Sequence, residues 1–308
     1  MTLPVYFNSK KTSNLFGLKE NFKFLKNLYI KDKLPRALML SGKKGSGKST
    51  LVNHFLRFCF DKENYNEEAN EFNHVSAFNN QFLNNIHSNI IYLLASDFKN
   101  ISVEDIRNLK NKIYQTSISD MPRFIILDDV ELFNNNSLNA LLKMIEEPTK
   151  NNYFFLINNE NKPLIGTVKS RCLEVKIFLK NADRINITNS LIKKFQIDPV
   201  INSETSDLTP GQFIKFNYIF FQNKIYLNED FSKNLCIFLD LYKKNKDRIY
   251  IDMILFLADS HFNDLIGNNL SLKEDIIKDR NYVFENINKF FLYNLNQNAL
   301  LNSIDNKI

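Results

Sequence analysis

The sequence predicts an α/β first half, built on a parallel sheet covered on both faces, joined to an all-α second half. Two observations carry this. Runs at 37–40, 90–94, 124–127, 153–157 and 172–177 read as short strands, mostly apolar from end to end, with segments of helical spacing between them. Strands without polar alternation are buried on both faces, as crossover helices require. From about Leu179 onward the strand signal stops, and amphipathic segments such as 187–195, 211–221, 235–244 and 281–294 take over.

Taken in order, Ala37-Leu38-Met39-Leu40 ends at Ser41-Gly42 and reads as a strand running into a turn. Leu51, Val52, Phe55, Leu56 and Cys59 then mark a helix over 49–60. Residues 61–85 are polar and rich in Asn and Glu, which predicts an exposed, partly irregular insertion. After the strand at 90–94, Ser102 caps a helix whose first turn holds Glu104 and Asp105 and which runs through Ile106, Leu109 and Ile113. The third strand, 124–127, ends in Asp128-Asp129, and Pro148 stops a helix over 137–147. A further break is expected near Asn223-Lys224, and there is no internal repeat.

The 308 residues are 44% hydrophobic and 24% charged, which argues against wholesale disorder. The net charge of +6 is compatible with nearby nucleic acid without demanding it. Cys59, Cys172 and Cys236 are scattered without metal-ligand spacing, against a disulfide framework or a zinc knuckle. Residues 1–18 show no signal-peptide core, and no apolar run reaches the roughly 18 residues a membrane span needs. The expectation is a reduced, cytoplasmic protein with no membrane contact.

Of only 7 glycines, three crowd into one loop. Gly42-Lys43-Lys44-Gly45-Ser46-Gly47-Lys48-Ser49 matches the phosphate-loop pattern, with Thr50 behind it, a strand before and a helix after. Each position has a chemical reason. The glycines let backbone N–H groups converge as an anion nest, and the helix adds its positive end. Lys48 offers charge to the β- and γ-phosphates, and Ser49 a hydroxyl to Mg²⁺. Lys43 and Lys44 read equally well as phosphate contacts or as solvated loop charges. Such a site needs an acid at a neighbouring strand end: Asp128 is placed for the metal, and Asp129 where a water-activating acid would sit. The competing reading of the acid pair is a solvated turn.

These motifs, with Asn139-Ala140-Leu141-Leu142-Lys143-Met144-Ile145-Glu146-Glu147-Pro148 and Ser170-Arg171-Cys172, resemble the AAA+ clamp-loader subunits of bacterial DNA polymerase III. The resemblance is strong from about Phe16 to Ile177 and only architectural beyond. It implies an α/β nucleotide-binding domain at 1–177, a helical lid at 178–222 and a helical collar at 223–308. The implied function is helping to place a sliding clamp on primed DNA, with a tau/gamma-type motor, a delta subunit, the clamp and the DNA as partners. ATP and Mg²⁺ are the implied cofactors. Arg171 would be an arginine finger reaching a neighbour's ATP, where a guanidinium stabilises the charge that builds on the γ-phosphate. Asn158 would be the polar residue sensing that phosphate. Arg107 and Lys110 read as primer-template contacts or, more simply, as a solvated helix face.

Three departures shape the expectation. Many relatives carry a four-cysteine zinc module after the phosphate-loop helix, whereas 61–89 holds His74 and His87 but no cysteine, so no zinc is expected. Asp129 is one methylene shorter than the glutamate of the motor subunits. The lid stretch Thr209-Pro210-Gly211-Gln212 offers neutral Gln212 where an arginine is usual. The reading is a stator that donates its finger and turns over little ATP itself. The alternatives are an active motor of the tau/gamma type, or an unrelated phosphate-loop ATPase of DNA repair or partition. The last leaves both clamp-loader motifs unexplained.

Overall fold

The computed structural model describes residues 4, 7–95, 101–114, 121–148, 151–227, 230–268 and 272–305. By their internal contacts they form two compact units, 1–194 with 208–212, and 195–207 with 213–308.

The first unit is built on five parallel strands: β1 (Ala37–Ser41), β4 (Ile90–Leu94), β5 (Arg123–Asp128), β6 (Asn152–Asn158) and β7 (Leu173–Lys176). Their spatial order is β4-β5-β6-β1-β7. The register aligns Ser41 with Asn158 and Asp128 with Ile157, so the polar ends of three strands share one edge of the sheet. This is the α/β class the apolar runs predict.

Successive residues leave a strand on opposite faces, so each apolar run serves two cores. Leu38, Leu40, Phe124, Ile126, Phe155 and Ile157 enter one, against α1 (Lys19–Ile30) and α2 (Lys48–Phe60). Ala37, Met39, Ile125, Leu127, Phe154 and Leu156 enter the other, against α4 (Val103–Tyr114) and α5 (Asn135–Glu146). Helix α4 starts as expected, with the Asp105 N–H donating to Ser102 Oγ and the Ser102 N–H to Asp105 Oδ2. Helix α5 begins earlier than expected, because Asn134 accepts from the Ser137 N–H at 2.8 Å.

The insertion departs from expectation. Residues 61–85 form a two-strand hairpin, β2 (Tyr65–Asn66) with β3 (Glu71–Phe72), and a helix, α3 (Ala77–Leu83). Tyr65, Phe72, Phe78 and Phe82 join the first core. Only Phe78 and Phe82 stand at helical spacing, and the area of the four aromatics outweighs the polar residues around them. Arg57 organises the region: it is buried, donates to the Lys10 and Asn53 carbonyls and Asn79 Oδ1, and stacks 3.7 Å from the Phe72 ring centre. His74 packs on Phe72, and His87 on Phe60 and Phe78.

Within unit 1, α6 (Gly166–Lys169) and α7 (Asn181–Phe195) flank β7, and α7 runs to the edge of the unit. Among the described residues no strand follows Lys176. In the second unit, α9 (Phe231–Asn245), α10 (Ile249–Asn268), α11 (Lys273–Tyr293) and α12 (Gln297–Asp305) pack in a closed circuit, α12 returning to α9. The helix α8 (Pro210–Gln222) gives its first turn to unit 1 and the rest to unit 2. In the adjacent pairs Phe220-Phe221 and Phe290-Phe291, Phe220 and Phe290 are buried, while Phe221 is 60% exposed. Neighbours on a helix point about 100° apart, so one of two takes the core. No helix among the described residues is long and apolar enough to cross a membrane.

Candidate functional site

The loop between β1 and α2 sits at the polar edge of the sheet. Gly45 and Gly47 adopt φ of +82° and +92°, the left-handed region that only glycine enters freely. Lys48 begins α2, is 2% exposed, and donates from Nζ to the Gly42 carbonyl (2.6 Å), the Lys43 carbonyl (2.9 Å) and Ser46 Oγ (3.3 Å). Thr50 is half-buried in the first turn of the helix.

Ser49 Oγ donates to Asp128 Oδ2 at 2.8 Å, which joins the helix start to the end of β5. Burial pushes Asp128 up to about 6, with Asp129 adding to the shift and the Ser49 hydrogen bond opposing it. Burial pushes Lys48 down to about 8 against the pull of Asp128, Glu131, Glu160 and Asp129. The site thus holds a dry cation beside several acids.

Asp129 is left-handed at φ +55°, and its Oδ1 accepts from Asn159 Nδ2 at 2.6 Å. The Asn158 side chain donates to Ser41 Oγ at 3.3 Å, while its carbonyl accepts from the Gly42 N–H. Sequence reasoning missed Glu131 and Asn159. Buried Glu131 accepts from the Asn159 N–H and from Asn161 Nδ2, holding the loop after β6 in place. An acid between Val130 and Leu132, just past the Asp128-Asp129 pair, was the available signal.

The stretch that begins α8 closes on the loop. Thr209 Oγ1 donates to the Lys44 carbonyl at 2.6 Å, and the Gly211 N–H to the Gly45 carbonyl at 2.9 Å. A Cβ on Gly45 would lie 2.4 Å from Thr209 Oγ1, so the glycine also permits this approach. The Gln212 side chain is turned back to Thr209, accepting from its N–H at 3.4 Å.

Arg171 stands apart from the loop. Its partners are Glu146, the Thr167 carbonyl and Ser170, all near the α5 and α6 ends. Arg107 pairs with exposed Glu104 at 3.3 Å, the solvated-face arrangement, and Lys110 is exposed on the same helix.

The donor set fits a magnesium–nucleotide. Lys48 and the left-handed glycines suit phosphate oxygens, and a hydroxyl hydrogen-bonded to a carboxylate suits a hard cation. Among the described residues no group of three or more His, Cys, Asp or Glu side chains is placed to hold a metal by itself.

The chain is 29% identical over 214 residues to the DNA polymerase III subunit delta' of Buchnera aphidicola subsp. Acyrthosiphon pisum, covering 66% of this chain and 62% of that protein. It is 26% identical to the DNA polymerase III subunit tau of Bacillus subtilis, over 54% of this chain and 29% of tau. The chain thus spans less than two thirds of these relatives' length. A gamma subunit-related protein of DNA polymerase III from Thermotoga maritima, of solved structure, aligns with a TM-score of 0.48 and 16% identity, over 93% of this chain and 99% of that one. The family model described as "DNA polymerase III, delta subunit" matches residues 17–181. That is more than half of the chain, which therefore belongs to this family.

Proposed function

We propose that the chain is a clamp-loader subunit of DNA polymerase III that binds Mg²⁺–ATP with little turnover and lends Arg171 to a neighbouring ATPase. One observation carries this reading. The residues that would bind phosphate and metal meet at one strand end, with Ser49 on Asp128, while Asp129 is hydrogen-bonded to Asn159 and the neutral Gln212 to Thr209. Lys48 and the loop amides would hold the phosphates, and Ser49 and Asp128 the metal shell, with Asn158 at the γ-phosphate end. The bound nucleotide would supply the charge this pocket is shaped to receive. Gln212 is neutral and cannot add a lid cation. The division into 1–177, 178–222 and 223–308, and the tau/gamma, delta, clamp and primed-DNA partners, belong to the same proposal.

The test is reconstitution with motor, delta and clamp subunits, followed by ATP-driven clamp loading. Arg171→Ala should slow loading far more than Lys48→Ala, since removing an arginine finger costs about 10³ or more at the site it serves. The isolated chain should bind Mg²⁺–ATP and release no measurable phosphate. Loss of loading in Lys48→Ala with Arg171→Ala unaffected would make the chain a motor of the tau/gamma type. No clamp loading with any partner set would overturn both the stator and the motor reading.

A further inference from the structure

Arg171 lies in the turn between α6 and β7, and Glu146 is the last residue of α5, 25 positions earlier. The two meet as an ion pair: Arg171 Nε donates to Glu146 Oε1. The terminal nitrogen on the Cδ side, Nη1, donates to the Thr167 carbonyl at 2.9 Å and approaches Ser170 Oγ at 3.4 Å. Nη2 has no hydrogen-bond partner among the described residues. Two of the three guanidinium nitrogens are thus held by the chain itself, and Nη2 is left for an outside acceptor.

Both side chains are over a third exposed, at 36% and 43%, and an ion pair so wetted adds little to stability. Its effect is geometric. A free arginine side chain samples many rotamers, whereas two anchored nitrogens in a planar group fix the direction of the third. The carboxylate comes from a helix end and the carbonyl from a short helix packed against that same helix, so the anchor rests on regular structure rather than on a loose loop.

We propose that Glu146 is a positioning residue for Arg171, holding the guanidinium with Nη2 available to an anionic group on a neighbouring subunit. This rests on the finger reading above. A carboxylate in this place sets orientation at the cost of part of the cation's charge, so its removal has two possible signs. Positioning predicts a slower reaction, and sequestration a faster one.

The experiment uses the reconstituted loader with Glu146→Ala, Glu146→Gln, Arg171→Ala and the Glu146→Ala/Arg171→Ala double variant. It reads kcat and KM for ATP in clamp loading, and the melting temperature of each purified chain. Glu146→Ala should lower kcat by about tenfold, as a displaced reacting group does, with KM and melting temperature little changed. Glu146→Gln keeps an oxygen acceptor for Nε and should recover most of the rate. The double variant should be no slower than Arg171→Ala alone, because Glu146 acts only through Arg171. Wild-type or faster loading by Glu146→Ala beside a slow Arg171→Ala overturns the positioning role and leaves the finger intact. A further loss in the double variant also overturns it. Wild-type rates in Arg171→Ala remove the finger reading, and this proposal with it.

Discussion

Ser49 and Asp128, 79 positions apart in the chain, are joined by a 2.8 Å hydrogen bond from hydroxyl to carboxylate. The contact ties the first turn of α2 to the end of β5, and it holds Asp128 in a place where burial resists its charge. Burial and the Ser49 hydrogen bond therefore pull the charge of Asp128 in opposite directions.

A pH signature should follow from Asp128. Its folded-state value, about 6, lies above the ordinary carboxylate value of 3.8. The group's contribution to stability is thus fully present below the unfolded value and lost as pH rises through about 6. Asp128→Asn keeps an oxygen that can accept from Ser49 and has no charge to bury. Its melting temperature relative to wild type should rise between about pH 4 and 6 and then level off. A difference that is flat across this range would show that Asp128 is not held in its neutral form by burial.

Lys48 should give the mirror image. Its folded value is about 8 against an ordinary 10.5, so stability is lost as pH falls through about 8. Lys48→Met should gain on wild type in melting temperature between about pH 10 and 8, and keep that gain at neutral pH. Saturating Mg²⁺–ATP should narrow the gap by stabilising wild type alone, which thermal shift with and without nucleotide would show.

The approach of α8 to the phosphate loop gives a matched pair of glycine tests. A Cβ on Gly211 would lie 2.8 Å from the Gly45 carbonyl oxygen and 2.9 Å from its Cα, both backbone atoms that cannot swing aside. Gly211→Ala should cost about 1–3 kcal/mol in urea denaturation. At Gly166 no heavy atom lies within 4 Å of such a Cβ, and Gly166→Ala should be neutral or stabilising by about 0.5 kcal/mol. Equal effects would mean that the contact between Thr209-Pro210-Gly211-Gln212 and the loop does not constrain the chain.

Arg57 should be the most sensitive residue of the insertion. Its guanidinium serves two carbonyls, one side-chain amide and the faces of Phe72 and Phe82. Arg57→Ala should destabilise by about 3 kcal/mol and open 61–89 to limited proteolysis first. Arg57→Lys should recover little, because a point ammonium cannot reproduce a stacked fork. An unchanged digestion pattern in Arg57→Ala would show that the aromatics alone order this region.

The sheet was legible from sequence because its signal is contiguous. The central runs of β1, β5 and β6, buried from end to end, announce themselves without reference to anything distant. The phosphate loop was legible for a related reason, since an anion nest is made of consecutive backbone amides and must be written in consecutive residues. The placement of Asp128 followed from the strand that ends there.

Tertiary structure decided what depends on chain segments meeting. Thr209 reaches the Lys44 carbonyl across 165 positions, and Glu146 reaches Arg171 across 25. Neither pairing has a local pattern, because a single hydrogen bond constrains two residues and leaves the sequence between them free. In the insertion, Tyr65, Phe72, Phe78 and Phe82 share no single period, and they are buried in one core where α2 presents Arg57 to the rings of Phe72 and Phe82. Periodicity reports what a residue does for its own helix or strand. Long-range packing and hydrogen-bond partners belong to the folded chain as a whole, and that is where the surroundings of Lys48, Asp129 and Arg171 were settled.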